Sequence, residues 1–278
     1  MRGRTTAPMS GPTDSGSGSG TESGPDSKTL ARSFDATAAA YELGRPEYPD
    51  EALAFWDDHG AFERGHVVLD LAAGTGKLTR LLPVICELHA VEPLEQMRAQ
   101  FAAAVPDVAV LDGSAEEIPF PDDHFDAVVV AQAFHWFDQP TALTEIARVL
   151  KPGGGLGLIW NEDDSDAAAW LAEVVDQKRL VAASTLVGNH PAIEVIDTHP
   201  AFGAVDAFEC RWNHATTVEG LLADVLSRSY VSALPAAERL GVLTRTREAV
   251  ERHLGAGVES ITYPYRTTAL WADLVRAA

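Results

Sequence analysis

The stretch that decides the fold is Val67-Val68-Leu69-Asp70-Leu71-Ala72-Ala73-Gly74-Thr75-Gly76-Lys77-Leu78. It reads as an apolar strand ending in an acid, a turn of small residues, and the start of a helix. Glycines at the carboxyl end of a first strand let a ligand approach the main chain closely. The next apolar run, Glu87–Val91, ends at Glu92, a carboxylate able to accept hydrogen bonds from the vicinal hydroxyls of a ribose. A phosphate-binding Walker loop fails here, because Leu71 and Leu78 stand where Gly and Ser or Thr are required. A nicotinamide or flavin dinucleotide site wants a third glycine where Thr79 stands, and Asp70 suits a pyrophosphate poorly. A ribonucleoside with a positive centre and no phosphate, such as S-adenosyl-L-methionine, makes Asp70 an asset. The turn with Asp70 and Glu92 together favours a ligand over a purely structural turn.

Outward from this stretch the chain alternates strand and helix. Apolar runs at His66–Leu71, Glu87–Val91, Val108–Leu111, Ala127–Ala131 and Leu156–Trp160 are separated by helical patterns at Leu78–Val84, Leu94–Ala104 and Thr141–Leu150. This rhythm predicts a Rossmann-like, doubly wound parallel sheet of the α/β class. After Asn161 it changes. Asp166–Ala183, Val218–Tyr230 and Pro235–Leu254 read as helices long enough for a lid, and Phe208–Trp212 and Ile261–Leu270 as strands closing the far edge. Residues 1–27 lack aromatics, Leu, Ile and Val and carry a Ser-Gly repeat at Ser15 to Gly20, the composition of a disordered tail. Residues 28–64 are expected to form a helical cap and 65–278 the main domain.

The 278 residues include 41 acidic and 21 basic side chains, a formal charge of −20, which argues against a general nucleic-acid binder. No apolar run approaches the roughly 18–20 residues of a membrane span, and Arg2 and Arg4 have no apolar run behind them, so a cytoplasmic protein is expected. Cys86 and Cys210 stand in no metal-ligand spacing and read as idle thiols. The acidic runs Asp122-Asp123 and Glu162-Asp163-Asp164 read as solvated loops.

With these residues in place, the chain from about Phe34 to Asn161 resembles the class I S-adenosylmethionine-dependent methyltransferases. Leu69 to Gly76 is similar to that family's first motif and Val91-Glu92-Pro93 to its ribose-binding acid. Gly113-Ser114-Ala115-Glu116-Glu117-Ile118-Pro119-Phe120 resembles the loop edging the adenine, with Ser114 in place of the usual Asp. Phe125 to Val130 and Arg148 to Gly154 resemble the fourth strand and the turn into the fifth. Phe34-Asp35, Tyr41 and Arg45-Pro46-Glu47-Tyr48-Pro49 are similar to the cap of small-molecule enzymes related to trans-aconitate methyltransferase, as is Ala131-Gln132-Ala133-Phe134-His135-Trp136-Phe137-Asp138. Ser227 to Tyr230 and Pro264 to Thr267 match that branch more loosely. The resemblance implies seven strands with the last antiparallel.

It also implies a site. Tyr41, Arg45, Asp70, Ala72, Gly74, Gly76, Glu92, Pro93, Ser114, Ala115 and Ala131 would hold the cofactor, with Arg45 pairing its carboxylate. Gln132, His135, Trp136, Trp160, Asn161 and Tyr230 would meet a small-molecule acceptor, with His135 as base or orienter. Methyl transfer from a sulfonium is an in-line displacement that requires no metal and no covalent nucleophile. The alternatives are a nicotinamide-dependent oxidoreductase and a protein that binds S-adenosylmethionine without turnover.

Overall fold

The computed structural model describes residues 38–168, 170–174 and 191–275. The expected tail 1–27 and the start of the cap lie outside these residues. Seven strands form one sheet: β1 Val67–Leu71, β2 Glu87–Val91, β3 Val110–Leu111, β4 Phe125–Ala131, β5 Leu150–Asp163, β6 Asp206–Thr217 and β7 Ser260–Asp273. Their order is β3-β2-β1-β4-β5-β7-β6. The first five run parallel, and β7 is antiparallel to both β5 and β6. The named helices are α1 Ala38–Gly44, α2 Asp50–Asp58, α3 Glu95–Ala104, α4 Gln139–Val149, α5 Pro191–Asp197, α6 Val218–Ser227, α7 Ser229–Ser232 and α8 Ala236–Leu254.

Strand alternation sorts the core onto two faces. Leu69, Leu71, Val128, Val130, Leu156 and Leu158 pack with Ala142, Leu143 and Ile146 of α4. Val68, Ala127, Val129, Ile159 and Trp271 pack on the other face with Ala52 and Trp56 of α2. The glycines of β5 follow from the second face. A Cβ on Gly157 would lie 2.7 Å from Trp56 Cε2, and one on Gly155 would lie 2.2 Å from Trp271 Cζ2. Trp56 is fully buried and its indole Nε1 donates to Leu270 O at 2.9 Å. Side-chain-free positions are thus what admit two tryptophans against the sheet.

A third apolar cluster lies in the lid. Trp170, Leu171 and Val174 join Val218, Leu221 and Val225 of α6, Val242 and Val250 of α8, and Ile261, Tyr263 and Tyr265 of β7.

Four expectations need correction. Leu78–Val84 is no helix: only Thr79–Leu81 forms a 3₁₀ turn, and Leu82 is already extended with ψ 144°. Leu82 precedes Pro83, whose ring disfavours helical backbone in the residue before it. Val218–Tyr230 is two helices broken at Arg228, whose backbone is extended (φ −67°, ψ 128°). The third strand shortens to Val110–Leu111, because Val108 N turns back to Val105 O at 3.2 Å. The helix before β5 ends at Val149, and Leu150 already belongs to β5. Of the helix expected over Asp166–Ala183, residues 170–174 are helical and 175–183 lie outside the described residues.

Candidate active site

The carboxyl ends of the parallel strands converge on one edge of the sheet. After β1 the chain turns through three left-handed residues, Ala72 (φ 58°), Gly74 (φ 58°) and Gly76 (φ 85°). Gly76 packs inward: a Cβ there would lie 2.6 Å from Val105 Cγ2. Around Gly74 a Cβ would meet nothing within 4 Å, so this main chain is open to a ligand. Glu92 clasps the turn from β2. Its carboxylate accepts from Gly74 N and Leu94 N, each at 2.9 Å, and is 4% exposed. Pro93 beside it is exposed.

Asp70 points into the protein beneath the turn. Its Oδ2 accepts from Thr79 Oγ1 at 2.6 Å, while Oδ1 is buried without a hydrogen-bond partner among the described residues. Burial pushes its carboxyl up to about 7, and the Glu92 charge adds to this, against the lowering effect of Thr79. Further along the edge, Ser114 and Glu117 form a tight bridge and Ala115 is buried beside them. Ala131 ends β4, half-buried.

On the other side of the same edge Gln132 adopts φ 59°, its N bonded to Ile159 O at 2.9 Å and its side-chain amide donating to Asn161 O at 3.0 Å. Asn161 is fixed at both ends: Nδ2 donates to Glu47 O at 2.9 Å and Oδ1 accepts from Thr267 Oγ1 at 2.5 Å. It therefore ties the Arg45-Pro46-Glu47 segment of the cap to β5. Tyr41, Arg45, Tyr48, Gln132, Asn161 and Arg228, with Pro46 and Tyr265, enclose a pocket of about 10 Å³, the space of about one water.

Two guanidiniums and two carboxylates wall this pocket from the lid side. Arg45 Nε donates to Ser227 Oγ at 2.9 Å and lies 3.3 Å from Asp224 Oδ1, with its guanidinium 5.4 Å from the Tyr41 ring centre. Arg228 Nη2 lies 3.0 Å from Asp224 Oδ2 and 3.5 Å from Asp163 Oδ1, and Tyr263 OH donates to Asp163 at 2.8 Å. Burial works against the Arg228 charge, but Asp224 and Asp163 outweigh it and hold the guanidinium well above its usual range. The acids 162–164 are thus no solvated loop. Asp164 is 5% exposed, and Glu162 pairs with Arg266 at 3.0 Å across the sheet. They extend β5 into the lid, where a charge is retained by facing an opposite one.

Known proteins align with this architecture. A family model described as a methyltransferase domain matches residues 69–158. An "uncharacterized methyltransferase" of Mycobacterium tuberculosis is 38% identical over 251 residues, 89% of this chain and 98% of the relative. The chain belongs to the methyltransferases. A ubiquinone/menaquinone biosynthesis C-methyltransferase of a Marinomonas species is 31% identical over 180 residues, 58% of this chain and 71% of the relative. A solved structure from Anaeromyxobacter dehalogenans, assigned as a type II methyltransferase, superposes with TM-score 0.62 at 26% identity, covering 82% of this chain and 97% of that one.

In this methyltransferase the pocket gathers Tyr41, Arg45, Gln132 and Asn161 from the sequence-predicted residues. Tyr230 follows Arg228 and is largely buried, which raises its phenol against the opposing Arg228 charge. His135 and Trp136 sit on a 3₁₀ turn after β4, outside the pocket lining, with ring centres 4.8 Å apart. Trp160 is 7% exposed and packs into the α4 face of the core. Tyr48, Tyr265 and Glu42 were not singled out from the sequence as site residues. Tyr48 was visible as part of the Arg45–Pro49 word, whereas Glu42 offered no local signal. Among the described residues no group of His, Cys, Asp and Glu is arranged to hold a metal, and no helix is long and apolar enough to cross a membrane.

Proposed function

We propose that this methyltransferase uses S-adenosyl-L-methionine and methylates a small-molecule acceptor at the sheet edge beneath the cap and lid. One observation carries the reading: a main-chain turn open at Gly74 and clasped by Glu92 shares its sheet edge with an enclosed polar pocket. The residues present fit such a cofactor. Ala72, Gly74 and Gly76 offer close main-chain approach, Glu92 with Pro93 takes the ribose, Ser114 and Ala115 edge the adenine, and Ala131 closes the floor. Asp70 Oδ1, buried and unpartnered, lies beneath the turn as a place for a polar or positive group. Tyr41 and Arg45 cover the amino acid end.

When bound, the cofactor supplies an electrophilic methyl on a sulfonium. The acceptor's lone pair forms the new bond to carbon while the carbon–sulfur pair returns to sulfur, leaving a neutral thioether. The protein has to align the acceptor and exclude water. Gln132, its side chain braced on Asn161, is placed to orient the acceptor, and the cap and lid close over both. Trp136, Trp160 and Tyr230 are assigned to the acceptor side, and His135 to orienting Trp136.

The charge of −20 supports a small molecule over a nucleic acid. The cap contacts of Arg45 and Glu47 support placement near the trans-aconitate methyltransferase-like branch, and methyltransferase membership leaves the nicotinamide reading without support. Calorimetry tests the cofactor. S-adenosylhomocysteine should bind, and Glu92→Ala should weaken it by roughly tenfold or more, the effect of losing a buried charged hydrogen-bonding group. No heat with the wild-type protein would sink the proposal. Isotopically labelled methyl groups, followed into small-molecule extracts by mass spectrometry, test the acceptor. Label found only on macromolecules, or on nothing, would refute it.

A further inference from the structure

The last turn of helix α1 is fastened twice, once to the glycine turn after β1 and once to α6. At the first, Glu42 accepts from Thr75 Oγ1 at 2.6 Å and from Arg80 Nη2 at 2.9 Å, and its backbone carbonyl accepts from Lys77 Nζ at 2.8 Å. Thr75 stands between Gly74 and Gly76, so the turn presents its main chain to the open side and its hydroxyl to the cap. At the second, Gly44 packs on α6 so closely that a Cβ would lie 2.0 Å from Asp224 N. Arg45 then holds Ser227 at 2.9 Å and Asp224 at 3.3 Å. One residue, Leu43, lies between Glu42 and Gly44.

A helix of 7 residues has too few internal bonds to persist alone, so its order depends on what grips it. Close-packed backbones transmit displacement with little slack. We propose that Glu42 is a positioning residue that couples the cofactor turn to the acceptor lid: a ligand that orders the turn orders α1, and through Gly44 and Arg45 it orders α6. This rests on the cofactor reading above. The coupling is reciprocal, so an acceptor under the lid tightens the cofactor by the same factor.

The test is hydrogen–deuterium exchange on the full chain with and without saturating S-adenosylhomocysteine. In the wild type, amides of residues 218–232 should slow by roughly fivefold or more on binding, the lower range of allosteric coupling. In Glu42→Leu, which has no acceptor for Thr75, the turn at residues 72–78 should still respond, S-adenosylhomocysteine should bind several-fold more weakly, and the response of 218–232 should fall below about twofold. Unchanged exchange in the strands of the sheet certifies the variant's fold. Should that variant fail to fold, a second pair decides. Thr75→Val cuts the same bond from the turn side and should abolish the lid response, while Thr75→Ser keeps the hydroxyl and should preserve it. A lid response in Glu42→Leu or Thr75→Val equal to the wild type overturns the coupling. So does S-adenosylhomocysteine binding to the wild type without any lid response. A wild type that fails to bind S-adenosylhomocysteine overturns the cofactor reading itself, and the coupling with it.

Discussion

Asp70 is the residue where the demands of the site and of stability conflict most openly. Its carboxyl titrates at about 7 against 3.8 for an ordinary carboxylate, because burial opposes the charge more than Thr79 relieves it. Between about pH 4 and 7 the folded protein holds a proton that the unfolded chain releases, so stability falls as pH rises through that window and is level above it. Asp70→Asn removes the titration and keeps an acceptor for Thr79. Its stability advantage over the wild type should grow from pH 4 to 7 and then stay constant, reaching a few kcal/mol at about 1.4 kcal/mol per pKa unit. Urea unfolding at a series of pH values measures this, and a gap independent of pH would contradict it. His135 poses a milder question. Its ring rests on Trp136 and outside the pocket lining, so His135→Gln should lower kcat by less than about tenfold and leave the pH–rate profile unchanged, unlike the loss of a base. At this scale Glu92 was legible because an acid at a strand end after a glycine turn has few other uses. Glu42 was not, because its partners lie 33 to 38 positions away and nothing in its own neighbourhood marks it.

Elements were legible where one short-range signal dominated. The apolar runs of β1, β4 and β5 are largely buried on both faces of the sheet, so their sequences alone betray them. The 78–84 segment failed because Leu78, Leu81 and Leu82 satisfy a helical apolar spacing while Pro83 vetoes it. The break at Arg228 was illegible for the opposite reason: its cause is tertiary, a guanidinium facing Asp163 and Asp224 on two different elements. The sequence signals a turn only as far as Gly154, whereas the next two glycines of β5, Gly155 and Gly157, have a packing role that no local pattern announces. Gly155→Ala would drive a methyl into the buried Trp271 ring, whose indole is further held by Asp273 at 2.8 Å. Overpacking of this kind should cost about 1–3 kcal/mol, seen as a lower urea midpoint with an unchanged slope.

For the whole molecule, the doubly wound α/β sheet followed from element spacing, and its seven strands with the last antiparallel from the family likeness. The pocket did not, because it is assembled from the cap, β4, β5, β7 and the α6–α7 break at once. A ligand gripping so many elements should stabilise the molecule as a unit. At a hundredfold above its Kd, S-adenosylhomocysteine contributes about 2.7 kcal/mol, which for a chain of this size raises Tm by about 5 °C. Differential scanning calorimetry should show one transition that moves, and a fixed midpoint at that saturation would count against it.

The way the lid is attached has its own consequence. Thr217 and Ser260 are register partners on β6 and β7, and Val218 N bonds to Glu259 O at 2.9 Å, so residues 218–259 leave the sheet and return to it at adjacent points. Such a segment is a cassette spliced into a hairpin. Its length and sequence can change without moving a strand, because both of its ends are pinned at one point of the sheet.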